Sequence, residues 1–220
     1  RIFNEKKVDE LIVLDIDATV NNQEPDLTMI SKLASECRMP LCYGGGINNL
    51  KQIERILKLG VEKIAINSEL YDNIDFVKSA VDNFGSSTIV ASIDYTKSNG
   101  KNFYVVKNGV EMTKIDPIDH SKKLIDIGVG EIFINSVDRD GKKNGYEIDF
   151  LEKFSKVIKI PVIACGGAGS WEDMYELFLK TKCDGVAAAN IFHHIEHSVF
   201  LAKEFLSNKS DKFRIPKFEI

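Results

Sequence analysis

Residues 42–48 read CYGGGIN, and residues 165–171 read CGGAGSW. Each glycine cluster follows a short apolar run and precedes a stretch of helical periodicity, which places both at strand-to-helix junctions. Cys42 and Cys165 stand 123 positions apart (165 − 42), and the same offset relates Asp15 to Asp138, Asp17 to Asp140 and Asn67 to Asn190. Four features sharing one offset indicate a duplicated unit.

Strands are expected at residues 11–15, 40–43, 63–66, 88–94, 131–135, 161–164 and 184–188. Between most of them lie amphipathic stretches such as LKQIERILKL at 50–59, where Ile53, Ile56, Leu57 and Leu59 approximate one helical face. Val- and Ile-rich runs alternating with helices predict parallel strands covered by helices. A doubly wound sheet has the same alternation but does not predict the repeat. A (βα)8 TIM barrel built from two half-barrel repeats does. The chain reads as a single domain over 1–220, with a first half-barrel at about 1–94, a second at about 95–205 and a tail at 206–220. Seven strands are visible where a closed barrel has eight, and the 123-residue offset sends the counterpart of Asp94 to a position before residue 1. The expectation is that the first β-strand of the barrel is missing from this chain, together with one acidic residue. FYVVKNGVEM at 103–112 adds a hairpin around an Asn-Gly turn.

A chain of 220 residues, 44% hydrophobic, is long enough to bury a sizeable core. It contains no run of 18 apolar residues, and RIFNEKKVDE lacks the apolar centre of a signal peptide. A cytoplasmic protein without a membrane partner is expected. The net charge of −4 and the absence of a basic stripe argue against nucleic acid. The four cysteines form no CxxC pair, so a zinc ribbon or dithiol motif is not supported. His193, His194 and His197 in HHIEH have helical spacing but no third ligand type nearby, and read as exposed helix histidines; no metal and no cofactor are expected.

In such a barrel the chemistry sits where strands run into the following helices. Gly45 and Gly46 in one half, and Gly166 and Gly167 in the other, let a ligand approach the backbone ahead of a helix N-terminus, and so form two candidate phosphate cradles. Asn67 and Ser68, and Asn190, lie at the ends of the next strands and offer further donors. Two cradles across one mouth suit a substrate with a phosphate at each end. Asp15, Asp17, Asp94, Asp138 and Asp140 lie at or just beyond apolar strands, where a carboxylate is costly unless solvated, bonded or used. Asp94, closing the run TIVASI, is the candidate acid or base. Asn135 and Gly141 complete the candidate binding set.

The segments LIVLDIDAT, YGGGI, GVEKIAINS, IVASIDYTK, GVGEIFINSVDRDGKKNGYE, IPVIACGGAG and GVAAANIFHH together resemble the cyclase subunit of imidazole glycerol phosphate synthase. The resemblance runs from about Val8 to His194, with all seven motifs in order. It implies a reaction of histidine biosynthesis in which ammonia from a glutaminase partner attacks a bis-phosphorylated ribulosyl intermediate, and closure and cleavage give imidazole glycerol phosphate. It makes Asp94 one of two catalytic aspartates, the other lying on the absent first strand. It places Gly46, Asn67 and Ser68 at one phosphate, and Asp140, Gly141, Gly167 and Asn190 at the other. Glu10, Lys63 and Glu131 match an ammonia gate at the opposite end of the barrel.

Two residues depart from the biosynthetic pattern. DIDAT places Asp17 where a hydroxyl is usual, and Cys42 stands where threonine is usual. These features are similar to a paralogous branch that supplies ammonia for acetamidino modification of surface-polysaccharide sugars, which is the alternative function. A phosphosugar isomerase and a non-catalytic ammonia conduit are weaker alternatives.

Overall fold

The computed structural model describes residues 2–106, 111–193 and 198–213. It opens with α1 (Ile2–Glu5), β1 (Leu11–Leu14), α2 (Leu27–Glu36), β2 (Leu41–Gly44), α3 (Leu50–Leu57), β3 (Lys63–Ile66), α4 (Glu69–Asp72) and α5 (Ile74–Phe84). A 3₁₀ turn leads to β4 (Ile89–Ser98), β5 (Lys101–Val106), β6 (Glu111–Met112) and α6 (Pro117–Asp126). β7 (Glu131–Ser136), α7 (Ile148–Val157), β8 (Val162–Cys165), α8 (Trp171–Lys180), β9 (Gly185–Val186), α9 (Asn190–His193) and α10 (Ser198–Lys209) complete the order.

The sheet runs β1-β2-β3-β4-β7-β8-β9, every neighbouring pair parallel. It is a curled parallel sheet of the (βα)8-barrel type. Among the described residues β1 and β9 end this order and do not pair with each other. No described helix is long and apolar enough to cross a membrane.

Local chemistry starts the helices where the pattern breaks. Asp26, Asn49, Asn73, Asp116 and Ser170 each accept main-chain N–H groups of the first turn they precede, and Pro117 begins α6 where its missing N–H is harmless. Outward-facing strand residues such as Tyr43, Ile64, Ile89, Ile93, Ile132 and Ile134 pack against the helices in one large apolar cluster. Inward-facing Cys42, Ala65, Val90 and Phe133, with Ile12 and Ile163 against them, form a second, smaller cluster inside the sheet.

Differences from the expected strands have clear causes. β4 continues past Asp94 to Ser98 because β5 pairs with it antiparallel from Asp94↔Val105 to Ser98↔Lys101. The expected hairpin is thus the outer part of a three-stranded antiparallel extension. β9 holds only Gly185 and Val186 in ladder form. The Asn108-Gly109 turn, His194, His197, the side chain of His193 and the end of the tail, 214–220, lie outside the described residues.

The duplication is visible in repeated contacts, which refine its offset. Leu11 N donates to Pro40 O at 3.0 Å, and Ile132 N to Pro161 O at 2.9 Å. Leu41 N donates to the Glu62 carboxylate at 2.7 Å, and Val162 N to that of Asp184 at 2.9 Å. A Cβ on Gly45 would strike the Asp15 carbonyl, and one on Gly166 the Ser136 carbonyl. These pairs lie 121 apart (132 − 11, 162 − 41, 166 − 45), widening to 122 at Glu62 and Asp184 (184 − 62). Cys42 is therefore matched by Ile163, not by Cys165, and Asn67 by Ala189, with Ser68 matched by Asn190.

Gly45 has φ +119° and no room for a side chain, whereas Gly100 has φ +73° with nothing near its Cβ position. Gly45→Ala should lower the unfolding free energy by about 3 kcal/mol or more, and Gly100→Ala by about 1 kcal/mol. Urea titrations of the two variants measure the difference; equal costs would show that the Gly45 junction can relax.

Candidate functional site

β4 presents Ser92 and Asp94 to the inside of the sheet at its C-terminal end, level with Asn67 after β3 and Asn135 on β7. Asn67 Nδ2 donates to one Asp94 carboxylate oxygen at 3.0 Å and to Ser92 O at 2.9 Å. Asn135 Nδ2 donates to the other carboxylate oxygen at 3.0 Å. Burial pushes the Asp94 pKa up from the usual carboxylate value; the amides of Asn135 and Asn67 partly offset this, and the charge of Asp140 adds to it. Asn135 Oδ1 is buried without a hydrogen-bond partner among the described residues. Cys165, paired in register with Asn135, has its thiol pushed up to about 12 by burial, first of all, and by Asp140, so it is an inert lining residue and not a nucleophile.

The mouth opens into a cavity of about 1650 Å³ that reaches from Asp94, Asn67 and Asp140 down to Glu10 and Glu131. A side cavity of about 350 Å³ is lined by Thr19, Gly46, Asn48, Gln52, Asn67 and Ser68. This is the first glycine cradle. Gly46 N donates to Thr19 Oγ1 at 3.3 Å, and Asn48 N to the neutral Gln52 side chain at 2.9 Å. In the second cradle Gly169 N and Ser170 N both donate to the Asp173 carboxylate, at 2.9 and 2.8 Å. A carboxylate in one cradle does the work that an amide does in the other. Asn190 opens α9 with its side chain 3.9 Å from the Cβ position of Gly141, so these two candidates meet.

Other predicted residues have structural work. Asp15 accepts Asp17 N and Ala18 N at 3.2 and 3.1 Å, fixing the turn after β1 while bordering the large cavity. Asp17 is exposed and borders neither cavity. The hydroxyl beside the first cradle comes from Thr19 instead, two residues on. Asp138 receives Thr96 Oγ1 and Lys97 N at 2.9 and 2.7 Å and so anchors the extension of β4. Sequence reading missed Thr19, Ser92 and Tyr104, whose roles come from contacts distant in the chain; only the position of Ser92 two residues before Asp94 signalled that it faces inward.

At the other end of the strands Lys63 Nζ bridges Glu10 at 3.0 Å and Glu131 at 2.7 Å. Burial alone would lower the Lys63 pKa, but the two carboxylates outweigh it and hold it above the ordinary value. Glu10 and Glu131 each keep one buried oxygen without a partner among the described residues. Cys42, beside Lys63 in register on β2, has its thiol pushed up by burial and then by Glu10 and Glu131. The two polar ends are separated by the inner apolar cluster.

The histidine biosynthesis protein family matches residues 1–198. The chain belongs to that family. It is 45% identical over 213 residues to "Putative imidazole glycerol phosphate synthase subunit hisF2" of Pseudomonas aeruginosa, covering 96% of this chain and 85% of that one. Against "Putative imidazole glycerol phosphate synthase subunit HisF" of Leptospira interrogans identity is 44% over 194 residues, 87% of this chain and 76% of that one. "Imidazole glycerol phosphate synthase subunit HisF" of Streptococcus mutans is 36% identical over 215 residues, 97% of this chain and 86% of that one. The curled parallel sheet and the family assignment agree with one another.

Removing the Lys63 ammonium would leave the largely buried Glu10 and Glu131 carboxylates without their shared cation. Lys63→Met should cost about 2 kcal/mol at pH 8, less than a fully buried pair because the triad retains some solvent. In the parent protein the raised Lys63 pKa keeps its contribution intact at neutral pH and loses it only as the pH rises through the folded-state value. Denaturant titrations of parent and variant at pH 8 measure the cost, and equal stability of the two would mean that the carboxylates are solvated.

Proposed function

We propose that this chain is the cyclase-type subunit of an imidazole glycerol phosphate synthase, a lyase of histidine biosynthesis acting in the cytoplasm. The observation that carries this reading is a single carboxylate, Asp94, held by two amides between two glycine cradles at the mouth of a barrel-type sheet. Phosphates at the two ends of a ribulosyl aminoimidazole intermediate would rest at Gly46, Asn67 and Ser68 on one side and at Asp140, Gly141, Gly166, Gly167 and Asn190 on the other. That places the carbon skeleton over Asp94 and leaves few ways for it to lie.

Ammonia would come from a class I glutaminase subunit docked at the Lys63 end. Its path runs between Glu10, Lys63 and Glu131 and past Cys42, Ala65 and Val90, an apolar passage that favours neutral ammonia over ammonium. At the mouth its nitrogen forms a bond to the substrate carbonyl carbon, and water leaves. Asp94 takes a proton from the attacking nitrogen and returns one to the departing oxygen. The new nitrogen then bonds to the carbon that carries the aminoimidazole carboxamide ribotide, closing the ring, and that carbon's bond to the ribotide nitrogen breaks, the nitrogen leaving as an amine with a proton given up by the closing ring. A pKa raised by burial makes the Asp94 carboxylate a stronger base than an ordinary aspartate, which suits it to take the proton from the attacking nitrogen.

Asp94→Asn, which keeps the shape and removes the base, should lower ammonium-dependent turnover by about a thousandfold without loss of fold. In the parent protein, kcat/KM should fall on the acid side as the pH drops through the raised Asp94 pKa, above the usual carboxylate range. Stopped assays with ammonium salts and the ribulosyl substrate check both, and near-parent turnover in the variant would remove Asp94 from the chemistry. Absence of turnover in the parent protein, alongside stimulation of a sugar amidotransferase, would assign the chain to the ammonia-supplying paralogue instead.

Crystals soaked in inorganic phosphate should hold two anions across the mouth, one beside Gly46 and Ser68 and one beside Gly141 and Gly167. Anions at lattice contacts alone would count against a two-phosphate ligand.

A further inference from the structure

The Asp94 carboxylate owes one of its two hydrogen bonds to Asn67, and Asn67 is itself held from behind. Tyr104, on β5, is fully buried, and its hydroxyl donates to the main-chain oxygen of Asn67 at 3.1 Å. Its ring is stacked on His120 of α6, centroids 4.7 Å apart, and meets Tyr71 edge-on at 6.3 Å. β5 pairs with the extension of β4 beyond Asp94, Tyr95 lying opposite Tyr104. The same antiparallel extension therefore carries both Asp94 and the residue that fixes the donor to Asp94. His120 cannot compete for the phenol as a charged neighbour, because burial, with Lys123 adding to it, pulls its pKa down to about 4. The other charged groups facing the phenol are Asp94 and Asp72, which, after burial, push its pKa further up and keep it a neutral donor.

We infer that Tyr104 is a positioning residue of the reaction: its hydroxyl sets the backbone of Asn67, and through it the amide that holds Asp94 in its reacting orientation. The inference rests on the proposed acid–base role of Asp94. Loss of the hydroxyl leaves the ring stack in place but frees the Asn67 carbonyl, so the amide donates to Asp94 less of the time. A carboxylate that loses a donor to its charged form binds its proton more tightly.

The test is Tyr104→Phe, with the Asp94 pKa read by carbon NMR of the carboxyl group and, separately, by the acid limb of kcat/KM. The expected result is an upward shift on the order of half a pH unit, a severalfold fall in kcat and little change in KM. In an Asn67→Ala background the same Tyr104→Phe change should leave the Asp94 pKa where it is. An unmoved Asp94 pKa in Tyr104→Phe, or an equal shift in the Asn67→Ala background, overturns the inference even if the variant is less stable. The NMR readout needs no turnover. A parent protein without cyclase activity would therefore refute the proposed function while still showing whether Tyr104 governs the Asp94 environment.

Discussion

A parallel strand sends every second side chain inward, and in a sheet curled this tightly the inward residues must share one narrow space. Everything else about the molecule follows from how that space is divided. At one end it holds Glu10, Lys63 and Glu131, a cation between two anions. At the other it holds Asn67, Asp94 and Asn135, an anion between two amides. Cys42, Ala65, Val90 and Phe133 keep the two apart with small or apolar groups. Neither polar group could stay buried alone: each charge is matched by hydrogen bonds that only the strand register can bring within reach.

Much of this was legible in the sequence because it is a matter of period and abrupt interruption. Asp94 stands out at the end of TIVASI, and the glycine clusters mark the junctions where chain must pass close over chain. The offset of the duplication was less legible. Offsets of 121 and 123 differ by one full pleat, so both preserve which residues face inward, and matching letters favoured the pairing of two cysteines that the register sets at different heights. Tyr104 gave no local signal at all. Its partner lies 37 positions away, and its role depends on β4 continuing past the barrel end to meet β5.

The carboxylates of the turns show how one residue type serves unlike ends. Asp15 closes its own turn, Asp138 secures the extension of β4, and Asp173 caps α8. Asp94 alone among these four accepts from side-chain amides without completing a turn, and that difference in partners, more than burial, separates it from its structural neighbours.

The two cradles also carry a consequence for ligand polarity. A duplicated site offers a two-ended anion a choice of two head-to-tail placements, and only one of them brings a given carbon to Asp94. Gln52 accepts Asn48 N in one half where Asp173 accepts Gly169 N and Ser170 N in the other, so an anion bound as proposed would meet unlike surroundings at its two ends. A bias of about 1.4 kcal/mol would populate one placement tenfold over its reverse. One amide exchanged for a carboxylate at a helix cap, with Asp140 lining the cavity as well, would give a duplicated vessel a head and a tail.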